Sequence, residues 1–247
     1  MKPNLFVLGA SRCGTTSLHT ILGQHPDVHA SKYKEPTFFI GANQATRNPI
    51  EYFKLFDSPK RYRLESSVAY FSNPETAPVL RDLFPDARFI ISLRDPKARA
   101  YALYRLMKVL GHEDIPNFAG ALEAEEYRST SQEFLYTCNC YVSAYLYCRS
   151  SLFDEQLARY FGLFNREQFH IITLAELATE PVVTTEGILR FLDLDPTPAQ
   201  HFDFTDKWCS VSYEPWDGRS DQIMTLQFEG VSQRTDQLVG RSLDWSL

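Results

Sequence analysis

Leu5-Phe6-Val7-Leu8-Gly9-Ala10-Ser11-Arg12-Cys13-Gly14-Thr15-Thr16-Ser17 is the stretch on which the reading of this chain turns. Its apolar start, Leu5 to Leu8, reads as a buried strand. The strand breaks at Gly9, and a helix is predicted from Thr15 to about Leu22, with Gly23 as its stop. A glycine-punctuated turn between a strand and a helix N-terminus is an anion cradle. The first N–H groups of the helix have no carbonyl one turn back, and the helix dipole adds positive potential there. The spacing Gly9-x-x-x-x-Gly14-Thr15-Thr16 is that of a phosphate-binding P-loop with one change. Thr15 stands where a lysine would reach the β- and γ-phosphates of a nucleoside triphosphate, and a cation sits inside the loop at Arg12. This argues against ordinary ATP or GTP hydrolysis but leaves a nucleotide kinase open.

Outward from the loop, buried strands alternate with helices. Val28 to Ala30 and Tyr62 to Glu65 read as strands, Arg88 to Leu93 (RFIISL) and Phe169 to Leu174 (FHIITL) as buried ones. Lys34 to Phe39 reads as an extended segment. Helices are predicted over Pro78 to Phe84, from Pro96 to about Leu110 with proline in the first turn, over Tyr141 to Phe161, and over Thr184 to Leu192. Residues 113–132 read as a short helix and loop over the active-site face. The alternation predicts an α/β fold of P-loop-like, three-layer type, with a central parallel sheet flanked by helices. Ligands of such sheets sit at the carboxyl ends of the strands, where the loop after Leu8 and the turn at Arg94 both fall.

The chain has 247 residues, 44% hydrophobic and 23% charged, and is read as one domain over 1–247. A net charge of −6 argues against an electrostatic nucleic-acid binder. No run approaches the ~18 apolar residues of a membrane span, and the apolar start is too short for a signal peptide, so the chain is read as cytoplasmic. Cys13, Cys138, Cys140, Cys148 and Cys209 make an odd, scattered set that suggests reduced thiols, not a disulfide framework, and their spacing matches no common zinc pattern. Cys13 lies at the helix N-terminus, where a thiol pKa tends to fall; filling the loop is the favoured role for it.

Two further segments carry chemistry. In Leu93-Arg94-Asp95-Pro96-Lys97-Ala98-Arg99-Ala100-Tyr101-Ala102-Leu103-Tyr104, an arginine at the end of a buried strand is placed either to grip a phosphate through its planar fork or to pair with a nearby carboxylate. The segment Lys34-Glu35-Pro36-Thr37-Phe38-Phe39 brings a carboxylate flanked by a cation and aromatic rings. With the loop, these two segments resemble the PAPS-dependent sulfotransferase family (PAPS is 3′-phosphoadenosine 5′-phosphosulfate). Arg94, Asp95, Pro96, Arg99, Ala100 and Tyr104 match the family's 3′-phosphate motif. Lys34 to Phe39 matches K-E-P-x-F-F of bacterial members and is related to K-E-V-H-F-F of heparan sulfate 3-O-sulfotransferases. Phe153 to Leu157, Phe191 to Asp195 and Leu238 to Trp245 resemble later parts of the domain.

The resemblance implies transfer of a sulfuryl group from PAPS to an acceptor hydroxyl or amine, on a carbohydrate or small molecule, by in-line attack with Glu35 as general base. It implies that Arg12 stabilises charge on the departing phosphate, and that Arg12, Cys13, Gly14, Thr15, Thr16, Ser17 and Arg94 hold the nucleotide, without a metal. The chain departs from the pattern in four places, the first being Arg12, which stands where the family's loop has a lysine before x-Gly-Thr-Thr. Ala102 replaces a serine that helps hold the 3′-phosphate, and Ser66 in Glu65-Ser66-Ser67-Val68-Ala69-Tyr70 replaces a lysine near the acceptor. The tail lacks a clear basic-Gly-basic run, with Lys207 and Arg219 as weak substitutes. Two rivals stay open. One is a P-loop small-molecule kinase with Asp95 as a magnesium-binding residue; the other is a degenerate nucleotide- or partner-binding module. His19, His112, His170 and His201 are alternative bases, and the tyrosines 101, 104, 136, 141, 145 and 147 could line a sugar or aryl site or simply pack.

Overall fold

The structure, a computed structural model, describes residues 1–205 and 215–246. Five strands form one parallel sheet: β1 (Leu5–Val7), β2 (Val28–Ala30), β3 (Tyr62–Glu65), β4 (Arg88–Leu93) and β5 (Phe169–Thr173), in the order β2-β3-β1-β4-β5. The chain enters at the centre, runs out to β2, returns through β3, then crosses β1 to reach β4 and β5. The direction of winding therefore reverses at β1, and the crevice of a reversal point opens beyond its carboxyl end.

The helices are α1 (Thr15–Gly23), α2 (Pro49–Lys54), α3 (Ala69–Ser72), α4 (Thr76–Leu83), α5 (Pro96–Val109), α6 (Phe118–Glu123), α7 (Glu125–Thr130), α8 (Gln132–Thr137), α9 (Phe153–Phe161), α10 (Leu174–Thr179), α11 (Pro181–Phe191), α12 (Gly218–Gln227) and α13 (Val231–Val239). The period of two in the strands divides the core into two layers. Phe6, Phe89 and Ile91 face one side, with Phe71 of α3, Leu80 of α4 and Tyr160 of α9. Leu5, Val7, Leu64 and Ile90 face the other, with Leu18 and Leu22 of α1 and Ile188 and Leu189 of α11. Each fully buried Leu or Phe contributes about 1.5–3 kcal/mol, so β1, short as it is, is anchored from both faces. This is the three-layer parallel fold that the alternation predicts.

Local expectations are corrected in three places. Gly23 is the last residue of α1 and not a left-handed stop; the helix closes through the N–H of Gln24. Gly23 instead admits β2, since a Cβ there would lie 3.0 Å from that of Ala30. Residues 34–39 are an irregular loop, with Glu35 and Thr37 at φ of +65° and +46°, and not an extended segment. Tyr141 to Phe161 is not one helix: single turns at Val142–Ala144 and Arg149–Ser151 precede α9. Glu125 of α7 accepts from the N–H groups of Cys148 (2.7 Å) and Arg149 (3.1 Å), a bonding pattern that a continuous helix would forbid there. No helix among the described residues is long and apolar enough to cross a membrane.

Candidate active site

The loop from Gly9 to Gly14 is held from behind. Gly9 runs so close to β4 that a Cβ would stand 2.6 Å from the backbone N and O of Ser92. Ser92 Oγ donates to the Cys13 carbonyl (2.5 Å), and Arg99 Nε of α5 donates to the Ser11 carbonyl (3.1 Å). Loop carbonyls thus point into the protein. Arg12 and Gly14 are both left-handed, at φ of +72° and +78°. Left-handed residues alternating with ordinary ones turn peptide N–H groups to one side, the geometry of an anion nest. For Arg12 that conformation costs of order 1 kcal/mol or more, strain that the anchors from Ser92 and Arg99 sustain.

Cys13 departs from its expected behaviour. Its side chain is fully buried, its N–H is engaged by the Ala10 carbonyl (3.2 Å), and burial pushes the thiol up to about 11 against the pull of Arg99, Arg94 and Arg12. Burial outweighs the helix terminus, so Cys13 fills the loop and offers a ligand neither its thiol nor a free N–H. The charges of Arg99, Arg94 and Arg12 all act on that thiol, and Arg99 reaches the loop directly through the Ser11 carbonyl. Gly14, Thr15, Thr16 and Ser17 form the open helix start, with Thr16 exposed and Thr15 and Ser17 buried.

Arg94 follows the last residue of β4 and is half-buried. Asp95 caps α5, accepting from the Ala98 N–H at 2.8 Å, so its carboxylate is committed to the helix start. Arg99 is 2% exposed and also reaches Ser150 Oγ (2.5 Å), Ser151 Oγ (2.9 Å) and the Tyr147 carbonyl (3.4 Å). Ala102 is fully buried and carries no hydroxyl.

Glu35 is about a third exposed, with Lys34 Nζ 3.0 Å from its Oε1. The Glu35 and Arg99 charges both act on the buried Tyr141 hydroxyl, the first raising and the second lowering its pKa. The Glu35 turn is fixed from the sheet: the Thr37 N–H donates to Ser67 Oγ (2.9 Å), which donates to Glu65 Oε1 (2.6 Å). Burial lifts the Glu65 carboxyl to about 8, with the Glu35 charge adding to it and the Ser67 bonds and Lys34 opposing.

Ser66 occupies the position expected to carry a lysine, and it is bonded to His19: Nδ1 lies 2.8 Å from Ser66 Oγ and Nε2 3.1 Å from the Ser31 carbonyl. A carbonyl only accepts, so the network assigns the ring proton to Nε2 and Nδ1 accepts from Ser66. Both nitrogens are engaged, and burial together with Lys34 lowers the His19 pKa to about 4. His19 is therefore not poised as a base. His170 stacks on Phe191 in the β5 layer, away from the loop. Tyr101, Tyr104, Tyr145 and Tyr147 pack in a satellite core with Phe118, while Tyr136 is 86% exposed; of the six tyrosines, Tyr141 bears on the site.

Arg219 is paired with Glu123 at 2.5 Å, whereas Lys207 and Cys209 lie outside the described residues. Among the described residues no cluster of His, Cys, Asp and Glu is arranged to hold a metal. Sequence reasoning missed Ser92, Glu65 and Ser67, and quoted Arg99 without a role. The one available signal was a run of small polar residues directly after a strand, Glu65-Ser66-Ser67.

With this geometry in place, the chain belongs to the sulfotransferase domain family, whose pattern matches residues 2–213. It is 26% identical over 208 residues to the bifunctional heparan sulfate N-deacetylase/N-sulfotransferase 1 of Caenorhabditis elegans, covering 81% of this chain and 23% of that protein. It is 26% identical over 203 residues to mouse heparan sulfate glucosamine 3-O-sulfotransferase 5, covering 81% of this chain and 56% of the relative. The chain thus spans about a quarter of the first relative and just over half of the second. Among solved structures, a sulfotransferase from Alicyclobacillus acidocaldarius superposes with a TM-score of 0.80 at 29% identity, over 98% of both chains.

Proposed function

We propose that this member of the sulfotransferase family transfers a sulfuryl group from PAPS to a hydroxyl or amine of a carbohydrate acceptor, with Glu35 as the general base. The observation that carries this reading is the helix-start nest with left-handed Arg12 and Gly14, braced by Arg99 through the Ser11 carbonyl, with the Arg94 charge acting on the same Cys13 thiol. The nest suits a phosphate group. Its two glycines stand where a Cβ would strike Ser92 or Leu174, its carbonyls are tied inward, and the start of α1 is open. The donor supplies an activated sulfuryl group on a phosphate leaving group. Thr15, Thr16, Ser17 and the Gly14 peptide would hold its 5′-phosphate, and Arg94 its 3′-phosphate.

Arg12, fixed in the loop, is placed to stabilise negative charge at that phosphate, and as a preorganised cation it needs no rearrangement to do so. Glu35 is placed to accept the acceptor's proton, with Lys34 orienting the carboxylate at 3.0 Å. The carbohydrate class rests on the heparan sulfate relatives. Asp95, committed to capping α5, gives the kinase alternative no support.

The test is calorimetric titration with adenosine 3′,5′-bisphosphate, 5′-AMP and ATP-magnesium, followed by bisphosphate release from PAPS with partially desulfated heparan oligosaccharides. A clear preference for the bisphosphate is expected. Preference for ATP-magnesium would return the kinase reading, and binding without turnover on any acceptor would return the degenerate module.

A further inference from the structure

Glu65 takes no part in the chemistry described above, yet it is the most deeply buried acid near the site. It ends β3, is 0% exposed, and one of its oxygens, Oε2, is buried with no hydrogen-bond partner among the described residues. The other, Oε1, accepts from Ser67 Oγ at 2.6 Å, and the same hydroxyl accepts the Thr37 N–H at 2.9 Å. A buried acid with one oxygen unsatisfied is costly. Its bond from Ser67 Oγ leads straight to the turn that carries Glu35.

That turn needs a restraint. Glu35 and Thr37 both have left-handed φ, +65° and +46°, on either side of Pro36. Neither is glycine, so each is strained in that region. The other ties of the turn are internal: Thr46 N–H to the Pro36 carbonyl (2.9 Å) and Ala45 N–H to Thr37 Oγ1 (2.8 Å). The Ser67 bond joins the turn to the sheet, supported by a longer one from the Phe39 N–H to the Tyr70 hydroxyl (3.3 Å).

We infer that Glu65 is a positioning residue for Glu35, setting the Glu35–Thr37 turn through Ser67. The inference rests on the reading of Glu35 as the base. The groups bearing electrostatically on Glu65 are Glu35 and Lys34 from the turn, Tyr52 from α2, Tyr70 from α3 and Tyr160 from α9. One cation against a neighbouring carboxylate and deep burial leaves Glu65 a neutral acid at pH 7. In that form Oε1 accepts from Ser67 as an amide oxygen would.

The test compares Ser67→Ala, Glu65→Ala and Glu65→Gln with the unmodified chain, reading bisphosphate affinity, kcat for bisphosphate release from PAPS, and hydrogen exchange at the Thr37 amide. Ser67→Ala is expected to speed Thr37 exchange at least tenfold. It should lower kcat roughly ten- to a hundredfold, the usual effect of misplacing a catalytic group by about an ångström, with bisphosphate affinity unchanged. Glu65→Gln is expected to restore most of what Glu65→Ala loses. Should Glu65→Ala fail to fold, Ser67→Ala carries the test alone, and its Thr37 exchange needs no acceptor. Unchanged exchange and kcat in Ser67→Ala would overturn the inference, as would a Glu65→Gln variant as impaired as Ser67→Ala. A Glu35→Gln variant separates the two readings: if it keeps its rate, the base assignment fails; if it is impaired while Ser67→Ala is not, only the positioning role fails.

Discussion

Removing the Arg99 guanidinium tests whether the loop owes its shape to the helix behind it. Arg99 makes four contacts, to the Ser11 carbonyl, Ser150 Oγ, Ser151 Oγ and the Tyr147 carbonyl. At ~1.5–3 kcal/mol for each bond to a charged group, a simple sum would reach roughly 6–12 kcal/mol. That sum is too large for two reasons. Ser150 and Ser151 keep their own donor bonds, to the Leu146 carbonyl (2.5 Å) and the Tyr147 carbonyl (2.7 Å), so Arg99→Met does not orphan them. Arg99 is also a cation 2% exposed, and its desolvation already offsets part of what its bonds contribute.

The residue left without its partner is Ser11, whose carbonyl faces the interior, at ~1–3 kcal/mol. For a chain of this size that corresponds to a fall of roughly 2–12 °C in melting temperature. The loop it releases carries Arg12 in a strained conformation. Affinity for adenosine 3′,5′-bisphosphate should therefore fall about ten- to a hundredfold, which is ~1.4–2.8 kcal/mol. Thermal melting and calorimetric titration read the two effects separately. An Arg99→Met protein that melts lower but binds the bisphosphate as tightly as the unmodified chain would refute the reasoning, because the loop would then hold its shape without the tether. Arg99→Lys should behave like the Met variant in binding, since a single ammonium cannot reproduce the fork.

Other outcomes follow from the same geometry. Glu35→Gln should lower kcat by ~10²–10⁴ with bisphosphate affinity unchanged, and a loss under tenfold would place the base elsewhere. Arg94→Ala should reduce the preference for adenosine 3′,5′-bisphosphate over 5′-AMP by roughly 10- to 150-fold, from the loss of ~1.5–3 kcal/mol, and paired titrations would reveal an unchanged ratio. Gly9→Ala puts a methyl 2.6 Å from the backbone of Ser92, which cannot rotate aside, so a loss of ~1–3 kcal/mol in denaturant melts is expected and an unaffected midpoint would contradict it.

The stability profile with pH also has a definite sign. His19 and His170, both lowered by burial to about 4, contribute stability that is full above their ordinary 6.5 and lost as pH falls toward 4, at most ~3 kcal/mol each. Glu65, raised to about 8, acts oppositely: stability is full below its ordinary 4.5 and declines as pH rises to about 8. The melting temperature should therefore peak on the acid side of neutrality, and a peak above pH 8 would sink this account.

Much of this protein is written locally in its sequence. The apolar runs of β1, β4 and β5, the Gly9 and Gly14 spacing and the proline-led start of α5 are all settled by neighbours within a few residues, through strand burial, backbone freedom and capping. That was enough for a parallel three-layer fold, and for putting the Gly9–Gly14 turn with Arg12 after β1 and Arg94 after β4. What was not legible depends on groups distant in sequence. Residues 34–39 have the composition of an extended segment, but a hydroxyl from Ser67 and a closing bond from Thr46 impose a left-handed turn. Tyr141 to Phe161 has helical content, but Glu125 captures its N–H groups from another element. Cys13 sits where a helix terminus should acidify a thiol, but the surrounding core reverses the effect.

The same division runs through the site. Local sequence settles which chemistry-bearing residues flank the strand ends, because strand, turn and helix start are short-range structures. Long-range packing is what sets Arg99 behind the loop, binds Ser66 to His19, and brings Glu65 to the Glu35 turn through Ser67. Those contacts span between 30 and 88 positions of chain, and hydrogen bonding and desolvation at that range are fixed by packing, which no local pattern of residues encodes.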